Sequence, residues 1–204
     1  MQNNSIIGVF GKKGSGKSYL VKKALKKMNR YIIVDPMHEY NGVICNSYHE
    51  VVDVLVEYLE YNFKIVYRPP NDEDIDNFFQ ILNTDEMVDY TFVMEEADLH
   101  CSAWYLHPEI KKLTRYGRHS GRNLIFVSRR PAAVSRDMTS QMDVMISFTQ
   151  IEPIDLKYFS NFRFNRDVET LGEYEWSYNG DVQVITNILG LEVPKGGDLS
   201  NKTE

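Results

Sequence analysis

The segment Gly11-Lys12-Lys13-Gly14-Ser15-Gly16-Lys17-Ser18 constrains this chain more than any other. It fits G-x-x-x-x-G-K-[ST], a loop whose backbone N–H groups cradle phosphate oxygens. With glycine near 7% of residues, a random match in a chain this long is roughly a one-percent event or less. The flanks are those the chemistry needs. Ile6-Ile7-Gly8-Val9-Phe10 is a short apolar run that reads as a buried strand. Tyr19 to Met28, rich in Lys, Leu and Ala, reads as a helix. Strand, glycine loop and helix bring backbone donors and a helix N-terminus to one point. Gly11, Gly14 and Gly16 permit the turn and the close backbone approach. Lys17 puts a point charge on the β- and γ-phosphates of a nucleoside triphosphate, and the Ser18 hydroxyl ligates Mg²⁺. Together with Ser15 and Tyr19, these residues form the expected ATP contact set.

Further apolar strands alternate with helical stretches. Tyr31–Val34 is a strand stopped by Asp35-Pro36. Val43–Cys45 is a short third strand, and Tyr48 to Tyr61 carries a helical stripe of Val51, Val52, Leu55, Val56 and Leu59. Phe63–Tyr67 is a strand stopped by Pro69-Pro70, and Asn71-Asp72-Glu73-Asp74 suits a helix N-terminus. Tyr90–Met94, Leu124–Val127 and Val144–Phe148 are further strands, with a helix from Pro108 to about His119 ended by Gly121. Asn179-Gly180, between Glu173–Tyr178 and Asp181–Ile185, predicts a C-terminal β-hairpin. The alternation implies an α/β fold, a mostly parallel sheet covered on both faces. One domain over residues 1–191 is expected, followed by a polar, mobile tail over 192–204.

Composition excludes little and locates charge. No apolar run approaches the ~20 residues of a membrane span, and Met1–Ser5 lacks the basic start of a secretory signal. Cys45 and Cys101 lack metal spacing and read as buried thiols, with a disulfide between them as the open alternative. The net charge is −6, but Met1–Val34 and Ile110–Arg136 each hold eight Lys or Arg and no acid. Between Asp35 and Asp98, acids outnumber Lys and Arg by sixteen to two. Such segregation means either a polyanion-facing surface on an acidic body or solvated helix faces beside a phosphate site. Lys22, Lys23, Lys26 and Lys27 read as a solvated face.

Glu95-Glu96 follows the strand Tyr90–Met94 at once. Beside a phosphate loop, an acid at that place reaches Mg²⁺ through its water shell. A second acid can orient and deprotonate an attacking water. Glu95 is assigned to the metal and Glu96 to the water; the alternative is a pair of exposed acids at a strand end.

Four blocks now carry a family resemblance: Gly11–Ser18 (Walker A), Ile33-Val34-Asp35-Pro36-Met37-His38-Glu39-Tyr40, Val93-Met94-Glu95-Glu96-Ala97-Asp98-Leu99 (Walker B), and Leu113–Gly121 continuing through Leu124 to Arg129-Arg130-Pro131. In that order they resemble the FtsK–HerA superfamily of DNA-pumping ATPases, and within it the viral genome-packaging ATPases, most of all those of turreted icosahedral viruses of archaea. The resemblance implies a RecA-like P-loop NTPase core, ATP hydrolysis with Mg²⁺ and a hexameric ring. It also implies double-stranded DNA gripped without sequence preference, a capsid vertex as partner, and the host cytoplasm or virion packaging vertex as location. Arg118 falls where the family carries an arginine finger that reaches the neighbouring subunit's nucleotide. Arg129 falls where the family has a sensor Gln, and Glu95 where it has Asp; the Arg places positive charge near the γ-phosphate. For Asp35 and Glu39, capping and catalytic roles both stay open.

Competing readings are a nucleoside or nucleotide kinase, a GTP-binding switch and a capsid-associated structural protein with a vestigial site. The Glu pair favours water over an acceptor substrate. The guanine-reading Asn-Lys-x-Asp has only a partial echo at Asn201-Lys202-Thr203-Glu204.

Overall fold

The computed structural model describes residues 4–193, with the backbone alone for Arg118 and His119. The apolar runs become eight strands: β1 (Ile6–Phe10), β2 (Arg30–Val34), β3 (Val43–Cys45), β4 (Phe63–Tyr67), β5 (Thr91–Met94), β6 (Asn123–Ser128), β7 (Val144–Phe148) and β8 (Trp176–Gly180). They form one sheet in the order β3-β4-β2-β5-β6-β1-β7-β8. Every pairing is parallel except β7 with β8. Parallel neighbours need crossovers, and α1 (Lys17–Leu25), α2 (Tyr48–Tyr58), α3 (Asp72–Ile81), α4 (Pro108–Tyr116) and α5 (Arg136–Thr139) lie in them, while α6 (Pro153–Phe159) lies between β7 and β8 and α7 (Val182–Asn187) follows β8. Among the described residues no helix is long and apolar enough to cross a membrane.

Period-two alternation sends each strand's residues to opposite faces. Ile6 and Phe10 of β1 join a core with Val51, Phe78, Leu113, Met138 and Phe159, from α2 to α6. Ile7 and Val9 join a second core with Leu20, Val21 and Ala24 of α1 and Val184 and Ile185 of α7. Both faces are therefore covered, which is why the central strands are continuous hydrophobic runs. The predicted starts hold: Ser47 and Asn71 accept from the backbone N–H of Glu50 and Asp74, caps worth about 1 kcal/mol each. Pro108 opens α4, and the left-handed Gly121 closes the 3₁₀ turn Gly117–Ser120 that follows it. Cys45 and Cys101 are buried and free.

The C-terminal hairpin is corrected. Asn179-Gly180 is not a turn: both residues lie within β8, where Asn179 pairs with Met145 and Gly180 with Val144. The glycine serves a close tertiary approach, since a Cβ there would sit 2.1 Å from the Asp143 carbonyl. The chain then enters α7, whose start Asp181 caps by accepting from Gln183 N–H. The stretch expected as the second hairpin strand is thus helical, and β8 is an antiparallel edge. Of the tail, residues 194–204, including Asn201–Glu204, lie outside the described residues, as do Met1–Asn3.

Candidate active site

Strand order builds the site. β5, β6 and β1 are consecutive and parallel, so their carboxyl ends lie on one sheet edge, where open α/β sheets bind ligands. Neighbouring strands are about 4.8 Å apart. The glycine loop after β1 and the acids after β5 are therefore separated by about two such spacings. The end of β6, with Ser128 and Arg129, lies between them.

The loop is shaped for an anion. Gly16, at φ 106°, is the N-cap of α1, and no side chain caps that helix. The Ser15 hydroxyl oxygen is buried and has no hydrogen-bond partner among the described groups. A Cβ on Gly11 would come within 2.6 Å of that oxygen and 2.8 Å of Phe148 Cβ, so the cradle stays open only with glycine. An orphaned buried hydroxyl costs about 1–3 kcal/mol, and a phosphate oxygen is the partner this geometry fits. Lys17 Nζ donates to the Lys12 carbonyl at 3.1 Å. Burial lowers the Lys17 pKa, against the opposing pull of Glu95 and Glu96.

Glu95 is buried directly after β5, and its Oε1 accepts from the Tyr40 hydroxyl. That hydroxyl also lies beside Ser18. Burial pushes the Glu95 carboxyl up to about 7; the Tyr40 hydrogen bond and Lys17 pull it down, while Glu39 and Glu96 add repulsion. Such a carboxylate is short of positive charge. Mg²⁺ takes one or two protein oxygens beside phosphates and waters, and Ser18 with Glu95 fit that requirement.

Glu96 has left-handed backbone, φ 47° and ψ 50°, a conformation that costs a non-glycine residue about 1–3 kcal/mol and clusters at functional sites. Its carboxylate accepts from Arg129 Nη2 at 3.1 Å and Nε at 3.3 Å. Arg129 thus sits beside the Glu pair and acts on Lys17 as a second cation. The two Glu residues are not equivalent exposed acids: one is buried, the other strained and ion-paired.

Asp35 holds a loop. Its carboxylate, fully buried, accepts from the backbone N–H of Glu39 (2.8 Å) and Tyr40 (3.1 Å) and pairs with Arg68 at 3.3 Å. Arg68 also donates to the Tyr40 carbonyl. The arrangement fixes where the Tyr40 hydroxyl meets Glu95, so the capping role is the one seen for Asp35. Arg118 lies in the 3₁₀ turn after α4; its side chain is outside the described residues.

Tyr19 is exposed and does not line the phosphate loop itself. With Gly16, Leu20, Phe148, Tyr174 and Trp176 it lines an adjoining cavity of about 490 Å³. The walls are mostly aromatic and aliphatic, with Lys23 and Glu192 among them, and suit a planar base. Sequence reasoning named Gly16 and Tyr19 for the nucleotide and missed Leu20, Phe148, Tyr174 and Trp176. Only Phe148, ending an apolar strand after the loop-bearing one, carried a local signal.

The model of the family described as helicase HerA, central domain, matches residues 4–113, just over half of the chain. Comparison with curated proteins gives no match. Among solved structures, the genome packaging NTPase B204 from Sulfolobus turreted icosahedral virus 2 in complex with AMPPCP is similar, at 25% identity and TM-score 0.68 over 86% of this chain and 92% of that one. The same NTPase in complex with AMP gives 25% and 0.69 over the same shares. B204, the DNA-packaging ATPase from Sulfolobus turreted icosahedral virus, gives 24% and 0.65 over 87% and 93%. The P-loop, the paired acids one strand away and the match across β1 to α4 agree: the chain belongs to the HerA central-domain family.

Proposed function

We propose that this chain is the ATP-hydrolysing motor of a viral genome-packaging machine, acting on double-stranded DNA. The observation that carries the reading is one sheet edge holding an anion cradle, a cation-seeking carboxylate and a strained second carboxylate, in a chain similar over most of its length to a genome packaging NTPase. The loop N–H groups, Ser15 and Lys17 hold the phosphates. Ser18 and Glu95 would hold Mg²⁺, which would supply positive charge to offset that of the phosphates. Glu96 orients and deprotonates water. Arg129 steers Glu96 and the γ-phosphate. Assembly as a ring, a hexamer by family resemblance, at the capsid vertex completes the reading; the setting is the host cytoplasm.

ATP hydrolysis by assembled protein is expected to rise with duplex DNA regardless of sequence, and the rise to fade with salt. Lys and Arg on phosphates release counterions, so log affinity falls linearly with log salt, about 0.9 per phosphate contact. The check is phosphate release with two unrelated duplexes across a salt series. No response from demonstrated rings would reject the motor and favour a kinase, whose acceptor would be another small molecule.

The cavity beside Gly16 is assigned to the base. Tyr174, 63% exposed, forms one wall. Tyr174→Ala is expected to weaken ATP binding about 5- to 150-fold, since base–aromatic stacking is worth about 1–3 kcal/mol. Affinity for inorganic tripolyphosphate should not change, because the phosphate cradle does not include this ring. Equal losses for both ligands would place the base elsewhere.

A further inference from the structure

The acid-free basic stretch does not survive folding as one surface. Arg122 is buried, donating to the carbonyls of Met87 and Thr84. Arg129 faces Glu96, and Lys111 is paired with Asp137 at 3.0 Å. What the fold exposes instead is a groove of about 530 Å³ in which Arg130, Arg136 and Lys157 meet Trp104. Lys157 comes from α6, beyond the basic stretch, so only the fold brings it there.

Three features mark this groove. Trp104 is 97% exposed, leaving a large ring in water with no gain from burial. The Arg136 guanidinium is held 4.1 Å over the ring of Tyr158, whose hydroxyl donates to Thr139. It is thereby presented in a fixed place while exposed. Lys157 is exposed with no ionic partner among the described residues, and the acid at the groove, Asp155, is buried and paired with Arg130. The groove is therefore net positive on an acidic protein.

The groove is also wired to the nucleotide site. Trp104 lies on the segment after β5 and Glu96; Arg130 and Arg136 lie on the segment after β6 and Arg129. The two segments are stitched together. Ser128 Oγ donates to Asp98 at 2.7 Å, Ser135 N–H donates to the Cys101 carbonyl at 3.0 Å, and Ser102 bridges Val134. Only a few covalent and hydrogen bonds separate Glu96 and Arg129 from the two walls.

We infer that this groove grips the sugar–phosphate backbone of duplex DNA, with Arg136, Lys157 and Arg130 on phosphates and Trp104 packed against deoxyribose. The inference rests on the motor reading and names its DNA-contacting surface. A polyanion satisfies the clustered cations, and backbone contact carries no sequence information.

The test is duplex binding by assembled protein across a salt series. Arg136→Ala combined with Lys157→Ala is expected to lose at least tenfold in affinity at low salt, with a salt slope shallower by about 1.8 for two lost phosphates. Arg136→Lys, which keeps charge, should recover most of the loss, whereas a purely packing role on Tyr158 would not be rescued. Lys26→Ala, an exposed lysine at the C-terminal end of α1, should bind as wild type. Unchanged affinity and slope in a folded, assembled double variant would overturn the groove and leave the motor standing. Absence of duplex binding by wild-type rings would remove the motor reading itself. Loss of ring assembly in folded Trp104→Ala would make the groove a contact between copies and also overturn the inference.

Discussion

Glu96→Gln is expected to bind Mg-ATP as the unchanged protein does and to hydrolyse it about 10²–10⁴-fold more slowly, the usual contribution of general-base catalysis. Gln keeps the side-chain length and one oxygen for Arg129, but cannot take a proton from water. The fold is not at stake: the pair with Arg129, half-exposed, belongs to a class of ion pair worth about 0–1 kcal/mol. Glu95→Gln separates the two carboxylates. Buried and joined to Tyr40 beside Ser18, Glu95 is placed for the metal, so its amide should raise the Mg²⁺ concentration required. Single-turnover hydrolysis and nucleotide binding across a Mg²⁺ series read both. If Glu95→Gln retains ATP without turnover and Glu96→Gln shifts the Mg²⁺ requirement, the roles are exchanged.

The phosphate loop and the acid pair were legible because each is local: a strand, then a fixed run of residues whose chemistry depends on spacing. Asp35 was half legible. Its position after β2 was marked, but its role needed Arg68, which arrives from β4. Asn179-Gly180 misled because the pair permits a hairpin locally, while Gly180 answers to the carbonyl of Asp143, the residue before β7. The short helices α5, α6 and α7 were unread because four, seven and six residues are too few to establish a 3.6-residue period. The base cavity and the cationic groove draw on segments far apart in the chain, and no spacing rule joins Gly16 to Trp176 or Trp104 to Lys157.

Arg118→Ala is expected to bind ATP normally and lose about 10³–10⁵-fold in turnover, the range for an arginine finger. The expectation rests on the sequence resemblance, which implies a finger at Arg118, in the turn Gly117–Ser120 after α4. Two features of this chain shape the test. Its own site already holds two cations, Lys17 and Arg129, of which Arg129 also pairs with Glu96, so a finger from a neighbouring subunit would add a third cation at the transferring phosphoryl group. A finger supplied across a subunit boundary also makes turnover a property of the pair. Mixing then discriminates. Arg118→Ala subunits keep an intact phosphate loop; Lys17→Ala subunits keep an intact finger. Rings containing both should regain activity that neither variant shows alone, in proportion to the junctions where an intact loop faces an intact finger. Mixed rings without rescue would place Arg118 in its own subunit's chemistry, and full activity of Arg118→Ala alone would remove it from the mechanism.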